Sequence, residues 1–381
     1  MPEGRAALSF FLLAPDLVHL NHGSYGALPK VVAAEQDRLR AHIERDPTSF
    51  FQFECPAALR KMAGIAANHF GGNAHDWVFC ENATAAVNSV LASLPFGPGD
   101  EIATTSHAYG AVLNAMRVWA ERKGAHVAVA DVPPFVESNE QVVKQVADVL
   151  NARTKLLVID HITSATAIVF PVAQIVEAAK RASIPVLVDG AHAPGQIALD
   201  VPALGADWYT GNAHKWLFAP KGCGLLWTAP AQQAVTRPTV LSHGAFDYQR
   251  AFDWIGTRDV TPWLCLETAV RAHADFGGAQ LAQRNRALAK AAADELADEL
   301  QARPSAPAGM RAAMAAIALG PALSGEEAFA MRARLLDEFR LVAPISNFGG
   351  SLWVRISAQI YNEMADYRRL AAVLRSIMPS G

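Results

Sequence analysis

Two residues carry the strongest chemical signal in the chain. Asp189 closes the apolar run "IPVLVD", and Lys215 sits inside "GNAHKWLFAPKGCGLLW". A carboxylate at the end of a buried strand is costly unless it meets a cation or several donors. Lysines usually lay their stems along apolar surface and keep the amine in water, yet Lys215 is held between His214 and Trp216 just before a Pro/Gly turn. A buried amine has a lowered pKa and reacts readily with carbonyl carbon. A third feature is "ENATAA", where Asn82, Ala83 and Thr84 open a helix. A helix N-terminus with unspent N–H groups and a hydroxyl suits a phosphate. His107 follows the run "EIATTS", and Thr163 and Ser164 follow "LLVID"; taken alone, such hydroxyls are turn formers. Lys221 has no comparable surroundings and reads as an ordinary turn lysine.

Taken together, an amine, a carboxylate and a phosphate-binding turn at the ends of neighbouring strands match the needs of pyridoxal phosphate. The lysine would hold its aldehyde, and the carboxylate would keep its pyridine nitrogen protonated. Rival readings have less support. The chain has neither G-x-x-x-x-G-K-[ST] nor a G-x-G-x-x-G following a strand, and no G-x-S-x-G elbow.

The elements that must position these residues alternate. Seven β-rich runs, "WVFC", "EIATT", "AHVAVADV", "TKLLVID", "IPVLVD", "ADWYTG" and "GCGLLW", are separated mostly by helical segments. Val87, Val90, Leu91 and Leu94 share one helical face, Gly124 closes the helix after "AYG", and residues 171–183 form another helix. This rhythm predicts an α/β fold with a mostly parallel sheet between helices, and ligands of such sheets sit outside the strands' carboxyl ends. After about residue 265 the pattern changes. A long helix from Thr268, broken near Phe276–Gly278, precedes a strand in "GMRAAMAAIAL", a helix in "EEAFAMRARLLDEF", the strand "SLWVRIS" and a last helix. The expected organisation is an N-terminal arm over 1–20, a large domain over 21–265 and a smaller C-terminal α+β domain over 266–381.

Bulk properties narrow the class. The chain has 381 residues, 51% of them hydrophobic, with 18% charged and a net charge of −3. That balance gives no electrostatic case for nucleic acid or an anionic membrane, and no apolar run approaches the ~20 residues of a membrane helix. The short run "ALSFFLLA", preceded by Glu3, reads as an ordered arm and not as a signal peptide. Cys55, Cys80, Cys223 and Cys265 form no CxxC pair. A reducing, cytoplasmic setting and no metal site are expected.

The stretches "ENATAAVNSVL", "SHAYGAVLN", "VLVDGAHAPGQ" and "GNAHKWLFAPKGCGLLW", in this order, resemble the class V aminotransferases of pyridoxal phosphate fold type I. "LNHGSYGALPKVV", "FDWIGTRDVTPWL" and "VRISAQIYN" are similar to the isopenicillin N epimerase-like branch, so the likeness runs from about residue 18 to 375. It implies pyridoxal 5'-phosphate as cofactor, a Schiff base on Lys215 that also shuttles the α-proton, and Asp189 on the pyridine nitrogen. It implies His107 stacked on the cofactor ring, with Tyr109 as the alternative. Ala83 (through its N–H), Thr84, Asn212 and His214 would hold the phosphate. Ser164 and His192 would lie near the phenolic oxygen. Thr257 would reach the phosphate of a neighbouring subunit, which implies a homodimer. Arg355 would bind the substrate α-carboxylate, with Asn21 close by. Cysteine desulfurases of this superfamily carry a nucleophilic cysteine ahead of that arginine, and here 320–355 contain none.

The expected activity is therefore chemistry at the α-carbon of a small amino-acid substrate. Reprotonation on the opposite face would give epimerisation and needs a second acid, for which Tyr25, His22 and Tyr209 are candidates. Loss of a β-substituent would make the enzyme a C–S lyase, and protonation at the cofactor would make it an aminotransferase. A degenerate homologue that only binds the cofactor is the non-enzyme alternative.

Overall fold

The computed structural model describes residues 2–378. The large sheet has seven strands: β1 (Trp77–Cys80), β2 (Glu101–Thr105), β3 (His126–Ala130), β4 (Thr154–Asp160), β5 (Val186–Gly190), β6 (Trp208–Asn212) and β7 (Gly224–Thr228). Their spatial order is β1-β7-β6-β5-β4-β2-β3. Every residue of β1, β5, β6 and β7 is buried, as continuous apolar strands require when helices cover both faces.

Only β7 runs against its neighbours, antiparallel to both β6 and β1. The cause is local. A parallel return needs a crossover helix, but β6 is joined to β7 by residues 213–223, which contain no helix. The chain turns straight back, and this turn carries Lys215 at the carboxyl end of β6. Gly224 lets β7 start in the space available: a Cβ there would lie 2.6–2.8 Å from the backbone of Asn82. The lysine loop and the turn at Asn82 are thereby pressed together.

The helix Ala83–Ser93 buries Val87, Val90 and Leu91 on the face that the sequence predicts, and Leu94 lies just past its end. The break near Phe276 is also present. Helix Leu266–Asp275 stops there, Gly277 and Gly278 take positive φ, and helix Ala279–Glu299 follows. The C-terminal sheet has the order Ile345–Phe348, Ser351–Ser357, Met314–Pro321, Arg303–Pro304, all antiparallel. The strand within "GMRAAMAAIAL" starts later than its composition implies, because Ala308–Met310 forms a 3-10 turn. The N-terminal segment crosses to this second sheet's side: Val18–His19 pairs in parallel with Leu341–Val342. A one-turn helix, His22–Tyr25, then brings the chain to the large sheet. No helix among the described residues is long and apolar enough to cross a membrane.

Candidate active site

The carboxyl ends of β4, β5 and β6 open into a cavity of about 350 Å³. Lys215 reaches it from the β6–β7 loop, with Nζ 3.2 Å from His192 Nε2. Burial lowers the amine's pKa to about 8; Arg355 pushes the same way, and Asp189 and Asp160 oppose. A usable fraction of Lys215 is therefore neutral near pH 7. His192 is held neutral by burial and then by the charges of Lys215 and Arg355. Its Nδ1 is buried with no hydrogen-bond partner.

Asp189 lines the floor and accepts a 2.9 Å hydrogen bond from the Ala191 N–H. Burial raises its pKa, while the Ala191 bond and Lys215 pull it down. Beside it stands Asp160, which the sequence reading passes over. It is the register partner of Asp189, is equally buried and lines the same cavity. Burial, then the charge of Asp189, drives its pKa well up. The available signal was the one that singled out Asp189, an aspartate ending an apolar strand.

At the other end, Asn82 caps the helix by accepting from the Ala85 N–H at 2.9 Å. The Ala83 N–H donates to Asn212 Oδ1 at 2.8 Å. Ala83 and Thr84 both line the cavity as expected, but the Ala83 N–H is engaged with Asn212, and Thr84 is partly exposed. Asn212 and His214 also line the cavity. His214 Nδ1 lies 3.2 Å from the Cys223 carbonyl, so the ring donates there. Burial lowers its pKa to about 4. With Nδ1–H spent, the neutral ring offers only a lone pair at Nε2, and it can donate to a phosphate only as imidazolium.

His107 does not reach the cavity. Its Nδ1 bonds Thr166 Oγ1 at 2.7 Å, its Nε2 bonds the Pro133 carbonyl at 3.0 Å, and its ring packs on Phe348. Tyr109, two residues on, lines the cavity and is 46% exposed. Of the three candidate second acids, two are misplaced. Tyr209 is buried against Gly190 and bonded to His161 Nδ1 at 2.9 Å. His22 is fully buried, with both ring nitrogens engaged. Tyr25 stands at the cavity wall, 71% exposed.

Arg355 projects from the strand Ser351–Ser357. Its Nη1 donates to the Ser164 carbonyl at 2.6 Å, and its Nη2 donates to Ser24 Oγ at 2.8 Å and Asn21 Oδ1 at 3.1 Å. Its Nε is buried without a partner, and burial pulls its pKa down to about 10. Ser24 and Ser164 both line the cavity. Ser24 is a second residue that sequence reasoning missed. Lys221 is also more than a turn lysine, since it donates to the Gly26 carbonyl at 2.8 Å. Thr257 is exposed and stays away from the cavity of its own chain. Arg258, next to it, bonds Glu81 Oε1 at 2.6 Å. All four cysteines are free and buried, and none lines the cavity.

The donor set fits pyridoxal phosphate. An amine, a buried carboxylate, an orphaned imidazole nitrogen and a helix N-terminus surround one space of suitable size. A family model described as "Aminotransferase class-V" matches residues 28–328. Isopenicillin N epimerase of Amycolatopsis lactamdurans is 31% identical over 386 residues, covering 96% of each chain. A probable chloroplastic L-cysteine desulfhydrase of Arabidopsis thaliana is 27% identical over 96% of this chain and 84% of its own. Among solved structures, the cystine C–S lyase C-DES, in complex with cysteine persulfide, superposes with a TM-score of 0.82 at 20% identity, covering 96% of this chain and 98% of that one. Another structure of C-DES holds glycine covalently linked to its PLP cofactor. The chain has fold type I and belongs to the class V aminotransferase family of pyridoxal phosphate-dependent enzymes.

Proposed function

We propose that this enzyme removes the α-proton of a small amino acid, with Lys215 as the base. The observation that carries the reading is the Lys215 amine, its pKa lowered to about 8, on the wall of a cavity whose floor holds Asp189 and whose rim holds the partners of Arg355. Bound pyridoxal phosphate would supply an aldehyde that condenses with amines and a protonated ring that draws electrons from a bond at the α-carbon.

The chain's own residues would do the rest. Asp189 would hold the cationic ring nitrogen. His192 and Ser164 would face the phenolic oxygen, and Tyr109, not His107, would lie on the ring. Thr84, Asn212 and His214 would hold the phosphate, with Ala83 fixing Asn212 from behind. Arg355 would exchange its contacts with Asn21, Ser24 and Ser164 for the two oxygens of the substrate carboxylate, a match for its planar fork. Lys215, freed by the incoming amine, would take the α-proton, and a base with a pKa near neutrality suits that task. Thr257 would serve the phosphate of the partner subunit in a homodimer, with residues 21–265 and 266–381 as the two domains of each protomer. Four free, buried cysteines fit a cytoplasmic setting.

Three outcomes can follow from α-proton removal: inversion, elimination, and protonation at the cofactor, which would yield a keto acid as in an aminotransferase. Inversion, as in the isopenicillin N epimerase relatives, requires an acid on the face opposite Lys215, and Tyr25 is the remaining candidate for it. Elimination of a β-thiol requires no second acid at the α-carbon. The burial of His22 and Tyr209 favours it, as do the desulfhydrase relatives. The test is α-proton exchange in deuterium oxide across an amino-acid panel, with pyruvate, ammonia, sulfide and keto acid assayed in parallel. Exchange with inversion and no product supports the epimerase. Pyruvate with ammonia and sulfide supports the lyase. No exchange with any amino acid overturns the proposal.

A further inference from the structure

We infer that His22 is a positioning residue that sets the place of Lys215 relative to Arg355. The inference deepens the reading of Lys215 and Arg355 given above and rests on it. His22 belongs to "LNHGSYG", a stretch whose histidine has no part in the chemistry so far described. Its imidazole is fully buried. Nε2 lies 3.0 Å from the carbonyl oxygen of Lys215, and Nδ1 lies 2.8 Å from Tyr361 Oη and 3.3 Å from the Ala27 N–H. The Ala27 N–H can only donate, so Nδ1 must present its lone pair, and Nε2 therefore carries the proton and donates to the Lys215 carbonyl. Burial keeps the ring neutral. The Lys215 carbonyl at 3.0 Å and the Ala27 N–H together select this tautomer over the one that the Gln359 amide nitrogen, 3.3 Å from the same His22 Nε2, would favour.

Those partners belong to the two parts of the site. On one side is the backbone of the residue that bears the amine. On the other is Tyr361, in the segment just beyond the strand that carries Arg355. The residues flanking His22 complete the bridge. Asn21 and Ser24 bind the Arg355 guanidinium at 3.1 and 2.8 Å. The Gly23 N–H donates to Ser357 Oγ at 3.2 Å, and the Ser357 N–H donates to the Leu20 carbonyl at 2.8 Å. Gly26 fits against the lysine loop so closely that a Cβ would lie 2.3 Å from the His214 carbonyl oxygen and 2.6 Å from that of Lys215. Lys221, from the far end of the same loop, donates to Gly26 at 2.8 Å. Residues 20–27 are thus wedged between the lysine loop and the arginine strand, and His22 is the side chain that bonds to both sides. A fixed carboxylate clamp and a fixed amine are what hold an α-carbon in line for proton transfer, and a displacement of about 1 Å can cost 100-fold in rate.

The test uses cofactor-free full-length protein, so that it does not depend on turnover. The rate at which an amine-reactive reagent modifies Lys215 is followed against pH by peptide mass spectrometry. Wild type is expected to titrate near 8. H22A releases the loop and moves the midpoint upward by about one pH unit, as the amine becomes better hydrated. H22Q keeps a donor at the Nε2 position and stays near wild type. Y361F loosens the far anchor and shifts the midpoint in the same direction as H22A, and it serves as the readout if H22A does not fold. In cofactor-loaded enzyme, kcat falls about tenfold or more in H22A and recovers in H22Q. Identical Lys215 midpoints in wild type, H22A and Y361F would overturn the inference, even if the variants melt at lower temperature. A failure of the cofactor reading is separately visible, because wild-type Lys215 would then not be fixed to pyridoxal phosphate by borohydride.

Discussion

Asp160 and Asp189 are register partners at the carboxyl ends of the adjacent parallel strands β4 and β5, and both side chains are buried on the floor of one cavity. Two neighbouring buried carboxylates do not both ionise readily; burial and the charge of Asp189 push Asp160 up, while the Ala191 N–H and the Lys215 amine favour the ionised form of Asp189. Asp160 is then the member that keeps its proton. A carboxyl whose folded pKa exceeds its unfolded value costs stability above the unfolded value, and the cost disappears as the pH falls to that value. D160N should therefore raise the melting temperature of the cofactor-free protein at pH 7, with a gain that shrinks toward about pH 4. It should leave cofactor affinity within a few-fold. D189N, by contrast, should lower kcat by orders of magnitude. Thermal melts against pH, together with cofactor titrations of both variants, check this.

His214 gives a second pH dependence. Its Nδ1–H is committed to the Cys223 carbonyl and its pKa is about 4, so it meets a phosphate only after taking up a proton. A bound dianion raises the pKa of the imidazole. Binding is then coupled to proton uptake, and affinity falls as the pH rises through the bound-state pKa. Pyridoxal phosphate dissociation constants measured from about pH 6 to 9 should show this slope in wild type. H214Q, which donates without a proton, should flatten it.

Arg355 should act on the substrate and leave the cofactor alone. R355K keeps the charge but loses the paired donors. An increase of about 10–100-fold in KM for the amino acid is expected, the worth of one charge-assisted hydrogen bond, with cofactor affinity unchanged. Steady-state kinetics beside a cofactor titration separate the two.

Tyr25, exposed at the cavity wall, is the residue whose removal tests the inversion reading. If it delivers a proton to the face opposite Lys215, Y25F abolishes inversion of the α-carbon while α-deuterium exchange on the Lys215 face persists. Chiral analysis of substrate recovered from deuterium oxide reads both at once. Inversion at the wild-type rate in Y25F would remove Tyr25 from that role.

The parts of the site that were legible in the chain share one physical origin. Asp189 and Lys215 are polar residues where apolar strands end, and burial makes such positions costly enough to be informative. The seven strands and the break at Gly277 and Gly278 were legible for similar reasons, through alternation and glycine. Asp160 ends an apolar strand in the same way, but the mostly polar run His161–Ser164 that follows it reads as the start of a turn. That Tyr109 and not His107 lines the cavity turns on the pitch of a tight turn, which two residues of sequence do not determine. Arg355 lies within an apolar strand, and its partners Asn21, Ser24 and Ser164 are 191–334 residues away along the chain. Only resemblance made it visible. The helices Lys30–Ile43 and Cys55–Phe70 line no part of the cavity; both pack against helices Thr261–Leu264 and Leu266–Asp275, and the second also packs against β1.

The central claim is that Lys215 is the residue that holds pyridoxal phosphate. Borohydride reduction of the cofactor-saturated protein, followed by peptide mapping, tests it directly. The predicted result is a single reduced adduct on Lys215, with loss of the visible absorbance of the bound cofactor, and no adduct in K215A. A protein that stays colourless with excess cofactor, or an adduct on any other lysine, Lys221 included, would contradict it.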